Sequence, residues 1–151
     1  MITREYREYN ESDTPGFASR LRDRPIVQIM RFEDYDHDGR ATEFALQIGT
    51  LPCGKKMSVV VGVSRKSSHL HVFSSAILPK EPLILMSWQW AALGNAKGSV
   101  KVSDGLCGDH GSEVEREVEL RAQNGNISAT RRTYQCVDGG RRGRLVGKED
   151  F

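Results

Sequence analysis

The dipeptide Asn124-Gly125 constrains this chain more tightly than any other pair of residues. It stands between Glu117-Val118-Glu119-Leu120-Arg121-Ala122 and Ile127-Ser128-Ala129-Thr130-Arg131-Arg132, two runs in which polar and apolar residues alternate. Asn-Gly is a preferred two-residue hairpin turn because both central positions take a positive φ. Such a turn sets the register. Ala122 faces Ile127, Leu120 faces Ala129 and Val118 faces Arg131, while Glu117 faces Arg132 and Glu119 faces Thr130. One face is then largely apolar and the other charged, as in an antiparallel sheet with one solvated side.

The same register sets Cys136 opposite Glu113, so the loop from Cys107 to Ser112 can fold back toward it. The chain has three cysteines, Cys53, Cys107 and Cys136, and none lies in a Cys-x-x-Cys pair. A structural zinc knuckle is therefore not expected. In an oxidising compartment Cys107 pairs with Cys136 and leaves one free thiol. Three reduced cysteines in a cytosolic domain are the other reading.

Shorter runs upstream have the same character. Ile26–Phe32 is rich in β-branched residues and reads as a strand. Phe44, Leu46 and Ile48 alternate with Ala45 and Gln47, a second half-buried strand, followed by a turn over residues 50 to 56. Met57–Val63 is apolar enough to be central, and Leu70–Phe73 makes a fourth strand. Residues 81 to 94, with Pro82 near the start and Gly94 at the end, suit a short helix packed on the sheet. Within it one of Trp88 and Trp90 is expected in the core and the other partly exposed. The fold class is mainly β, an antiparallel or sandwich-like arrangement with one short helix, and α+β is the alternative.

With 151 residues, 38% apolar and 28% charged, the chain suits one folded domain. We place that domain at residues 25 to 138, after a flexible polar arm (1 to 24) and before a flexible basic tail (139 to 151). The net charge of +2 gives no global drive toward nucleic acid or an anionic membrane. No apolar run has the length of a membrane-spanning helix. The start, Met1–Tyr6, lacks the apolar core of a signal peptide. The chain is then cytosolic, or it is exported and its natural leader lies outside this sequence.

The run Asp34-Tyr35-Asp36-His37-Asp38-Gly39 carries the main chemical signal. Carboxylates at loop positions 1, 3 and 5 can converge on one hard cation, and glycine at position 6 permits a sharp turn. Arg40 offers its backbone carbonyl at position 7, Thr42 lies at position 9, and Glu43 follows. An EF-hand needs a bidentate Glu at position 12, which here is Ala45, and the flanks read as strands. The candidate ligands are thus Asp34, Asp36, Asp38, Arg40, Thr42 and Glu43. An all-oxygen set suits Ca2+ over zinc. The plain alternative is a solvated Asp-rich turn.

The loop resembles the calcium loops of FG-GAP or VCBS repeats, which build integrin-type propellers. Asp34, Asp36, Asp38 and Gly39 match their Asp-x-Asp-x-Asp-Gly pattern between strands. Thr42 stands where that family has a further acidic residue, and Glu43 comes one position later. The resemblance covers residues 26 to 63 and implies a similar local motif, since a propeller needs several blades. Asp36–Phe44 together with Cys107–Gly111 also resembles exported bacterial proteins.

Other features carry less. His69 and His71 share one strand face, and with His110 and Asp109 they have the ligand types of a zinc centre. Packed or surface histidines are the plain alternative. Cys53 has Lys55 and Lys56 nearby, which would favour a thiolate. No Gly-x-Ser-x-Gly, P-loop or Rossmann pattern occurs. Arg141, Arg142 and Arg144 offer a phosphate-binding tail without aromatic interleaving. We expect a non-enzymatic, calcium-stabilised binding or structural module, with a protein or carbohydrate ligand, in an extracytoplasmic setting. A zinc enzyme built on the histidines and a nucleic-acid-binding module built on the tail are the alternatives.

Overall fold

The Asn124-Gly125 turn joins two antiparallel strands in the register that its sequence dictates. The computed structural model describes residues 32–138 and 140–151. Its elements are β1 (Phe32–Glu33), β2 (Glu43–Thr50), β3 (Lys56–Ser64), β4 (Ser67–Val72), β5 (Leu85–Met86), α1 (Ser87–Asn95), β6 (Ser99–Gly105), β7 (Val114–Gln123), β8 (Asn126–Val137) and β9 (Arg141–Asp150). The expected N-terminal arm, and the expected first strand up to Arg31, lie outside the described residues.

Two antiparallel sheets account for the strands. One has the order β1-β2-β3-β4, with β5 also paired to β3. The other has the order β6-β7-β8-β9. In the β7–β8 hairpin Ala122 faces Ile127, Leu120 faces Ala129, Val118 faces Arg131 and Glu117 faces Arg132. Asn124 and Gly125 both have positive φ, +50° and +77°, as this turn requires. The fold is mainly β with one short helix. No helix among the described residues is long and apolar enough to cross a membrane.

One apolar core joins both sheets and α1. Val60, Phe73, Leu83, Leu85, Trp90 and Leu93 meet Val118, Leu120, Ala122, Ile127 and Ala129. Trp90 is fully buried and its indole N–H donates to the Ser58 carbonyl at 3.0 Å, while Trp88 is 40% exposed. The face of β2 turned to this core carries Ala45, opposite Val60. Phe44 points the other way, in a cross-strand row with Phe32, Val61 and Val72.

Two expectations need correction. The helix begins at Ser87, because Leu85 and Met86 pair with Ser58 and Met57 in the sheet. Gln89 folds back to accept the Met86 amide at 2.9 Å and caps the helix there. The expected flexible tail is also not found. Residues Arg141–Asp150 form β9, an edge strand along β8. Arg142 pairs with Glu115 and Glu117 and lies over the Tyr134 ring at 4.4 Å. Thr130 donates its hydroxyl to Asp150 at 2.6 Å. Charge and ring contacts across β7, β8 and β9 thus replace the apolar alternation that β9 lacks.

Cys107 and Cys136 form a disulfide, with Cα atoms 5.5 Å apart. The Cys136 amide donates to the Glu113 carbonyl at 2.8 Å, which closes the open end of the β7–β8 hairpin. Cys53 is free and exposed.

Candidate metal centre

The acidic loop connects β1 to β2, and its turns are built from its own carboxylates. Asp34 accepts the amides of Asp38 (3.0 Å) and Gly39 (2.9 Å). Asp36 Oδ1 accepts the Asp38 amide at 3.0 Å. These are the local side-chain-to-backbone bonds that favour Asp in turns. Gly39 takes φ +92°, and His37 is held at φ +52°.

The ligand atoms that converge belong to Asp34, Asp36 and Glu43, which offer oxygens within 4.8 Å of one another. Asp38 is diverted. Its Oδ1 accepts the Arg40 amide at 3.0 Å and its Oδ2 the Arg65 amide at 2.5 Å, so it ties the loop to the β3–β4 turn. The Arg40 guanidinium lies 3.7 Å from Asp38, and its carbonyl accepts the Thr42 amide at 3.0 Å. Thr42 places its hydroxyl 2.7 Å from Glu43 Oε1 and 2.8 Å from the Val63 carbonyl. It supports Glu43, whereas Asp34, Asp36 and Glu43 make the cluster.

Glu43 and Asp36 both have 0% exposure. Glu43 Oε2 accepts the Tyr35 amide at 2.9 Å. Asp36 Oδ2 is buried and has no hydrogen-bond partner. Among the described residues no basic side chain pairs with Asp34, Asp36 or Glu43. Burial, and then the neighbouring Glu43 charge, push the Asp36 carboxyl up to about 6. Burial also raises Glu43, against the hydrogen bonds from Thr42 and the Tyr35 amide. Carrying an ion into such a site costs several kcal/mol, so a buried carboxylate pair calls for a proton or a cation.

Gly62 makes room for this arrangement. It sits opposite Glu43 in the β2–β3 register. A Cβ there would lie 2.7 Å from Glu43 Cα and 2.7 Å from the Thr42 carbonyl oxygen. Both are backbone atoms, so β2 must shift. Gly62→Ala should therefore destabilise the fold by about 1–3 kcal/mol, read from urea unfolding. An unchanged midpoint would show that β2 yields freely.

The histidine constellation is not assembled. His71 bonds the His69 carbonyl at 2.9 Å and lies against Phe73, while the His110 side chain is 95% exposed beside Asp109. Among the described residues these groups form no converging ligand set. Arg142 is committed to glutamates, and Arg144 donates to Gln135 at 3.3 Å.

Two further residues shape the centre without being marked for it by the sequence. His37 reaches the Leu93 carbonyl at 3.0 Å, and Gly125 packs against Asp36. Only the Asn-Gly turn signal marked Gly125, and nothing linked it to the acidic loop. Comparison with family models, with curated proteins and with solved structures gives no match.

Proposed function

We propose that this chain is a non-enzymatic, β-rich module stabilised by calcium, with Asp34, Asp36 and Glu43 as carboxylate ligands. The observation that carries the reading is Asp36 Oδ2, a buried acceptor without a partner beside a second fully buried carboxylate. Buried polar atoms are satisfied in the great majority of cases, and each exception asks for a ligand or a role. An all-oxygen, carboxylate-rich donor set is the chemistry of a hard divalent cation. The loop runs between two antiparallel strands, which supports its likeness to FG-GAP and VCBS calcium loops. The Cys107–Cys136 bridge supports an oxidising, extracytoplasmic setting.

Thermal unfolding of the metal-stripped chain tests this. Calcium at 100 times its Kd adds about 2.7 kcal/mol, a rise on the order of 5–10 °C for a chain of this size. The rise should vanish in Asp36→Asn, which keeps the shape and removes the charge. If calcium leaves the unaltered chain unmoved, the buried carboxylates hold no calcium and the proposal falls.

A further inference from the structure

We infer that the Asn124-Gly125 turn is the lid of this cation site, and that Gly125 sets how tightly the site holds a hard divalent cation. The inference rests on the calcium reading above. The acidic loop is the place where the two sheets are clasped. Asp38 takes the Arg65 amide from the β3–β4 turn of the first sheet at 2.5 Å. The Asp36 carbonyl accepts the Gly125 amide at 3.0 Å, and the His37 carbonyl accepts the Asn124 amide at 3.3 Å, both from the second sheet. The His37 ring donates to the Leu93 carbonyl near the end of α1 at 3.0 Å. Asp36 therefore belongs to the carboxylate cluster through its side chain and to the hairpin turn through its backbone.

The unpartnered oxygen faces that turn. A Cβ on Gly125 would stand 3.2 Å from Asp36 Oδ2. Glycine leaves this oxygen free to reach an ion, and a methyl group would crowd it. Gly54 provides a matched control. Its φ is +78° against +77° for Gly125, yet nothing lies within 4 Å of its Cβ position. Alanine at either glycine meets similar backbone strain, and only one of them meets the site. Because coupling is reciprocal, an ion that draws in Asp36 also holds the Asn124 and Gly125 amides in place.

The test titrates calcium chloride into the metal-stripped full chain by calorimetry, for the unaltered protein, Gly125→Ala and Gly54→Ala. Amide exchange at Asn124 and Gly125 is followed in the unaltered protein with and without calcium. We expect Gly125→Ala to weaken calcium binding by about tenfold or more, and Gly54→Ala to leave it unchanged. We also expect calcium to slow exchange at the Asn124 and Gly125 amides. Equal calcium affinity in Gly125→Ala and the unaltered chain would overturn the lid. Should Gly125→Ala fail to fold, exchange at the two amides decides, and no slowing overturns the lid. Absence of calcium binding to the unaltered chain would instead remove the calcium reading itself, and the lid with it.

Discussion

Replacing Cys107 and Cys136 together by serine should lower the unfolding free energy by about 3–4 kcal/mol, and the melting temperature by roughly 10 °C. The bridge spans 29 residues of sequence. Closing a loop of that length removes conformational entropy from the unfolded chain by that order. The closed segment holds all of β7, the Asn124-Gly125 turn and nearly all of β8. The hairpin is thus pinned at one end by its turn and at the other by the disulfide. The loop above the bridge is tied mainly within itself, the Gly108 amide donating to the Ser112 carbonyl at 3.0 Å and the Ser112 amide to the Asp109 carbonyl at 2.9 Å. The double replacement is the cleaner experiment, because a single one leaves a second free thiol that dissolved oxygen can oxidise to a new disulfide with exposed Cys53. Urea unfolding of the double variant, and of the unaltered chain under reductant, should show the same loss. A loss below about 1 kcal/mol would mean that the unfolded chain is already confined by other contacts.

The second sheet was legible where its signals are local. The Asn-Gly turn and the period-two alternation beside it carry the whole β7–β8 register, and the disulfide follows from that register. The strand β9 was not legible. Its Gly- and Arg-rich sequence shows no apolar face, and beside its pairing with β8 it is held by polar and ring contacts, such as Arg142 with Glu115 and Tyr134, that no alternation pattern signals. The helix starts later than the sequence suggests for a related reason. Leu83-Ile84-Leu85-Met86 has the composition of a helix turn, and pairing with β3 draws its end into the sheet. At the candidate centre all three clustered acids, Asp34, Asp36 and Glu43, stand among the six ligands that the sequence offers, but the sequence does not separate them from Asp38, Arg40 and Thr42. That Glu43 joins Asp34 and Asp36 while Asp38 turns away depends on the β2–β3 register, on the space left by Gly62 and on the Arg65 amide. None of these is a property of the loop itself.

In the presence of a chelator, the folded chain should lose stability as the pH rises from about 4 to about 7. Asp36 has its carboxyl raised from 3.8 to about 6. A raised folded value means that the protonated form is favoured by folding. Its contribution is complete below the unfolded value and is lost as the pH passes through the folded one. For Asp36 alone the loss is about 3 kcal/mol, at 1.36 kcal/mol for each unit. Glu43 is raised too and acts in the same direction. Glu119 acts in the opposite sense, because its hydrogen bonds with Arg121 and Arg132 hold it below the usual carboxylate range. Its stabilisation fades only as the pH falls below that range, so the metal-free chain should be most stable in mildly acid solution. Calcium should invert the neutral limb. It binds the ionised carboxylates, so the stability it adds grows over the interval in which the metal-free chain weakens. Urea midpoints across this range, in chelator and in calcium, should therefore diverge toward neutral pH. In Asp36→Asn the decline in chelator should become shallower, since one of the two carboxyls that drive it is gone. Parallel profiles in chelator and calcium, or an undiminished decline in Asp36→Asn, would place the buried charge elsewhere than in the Asp34, Asp36 and Glu43 cluster.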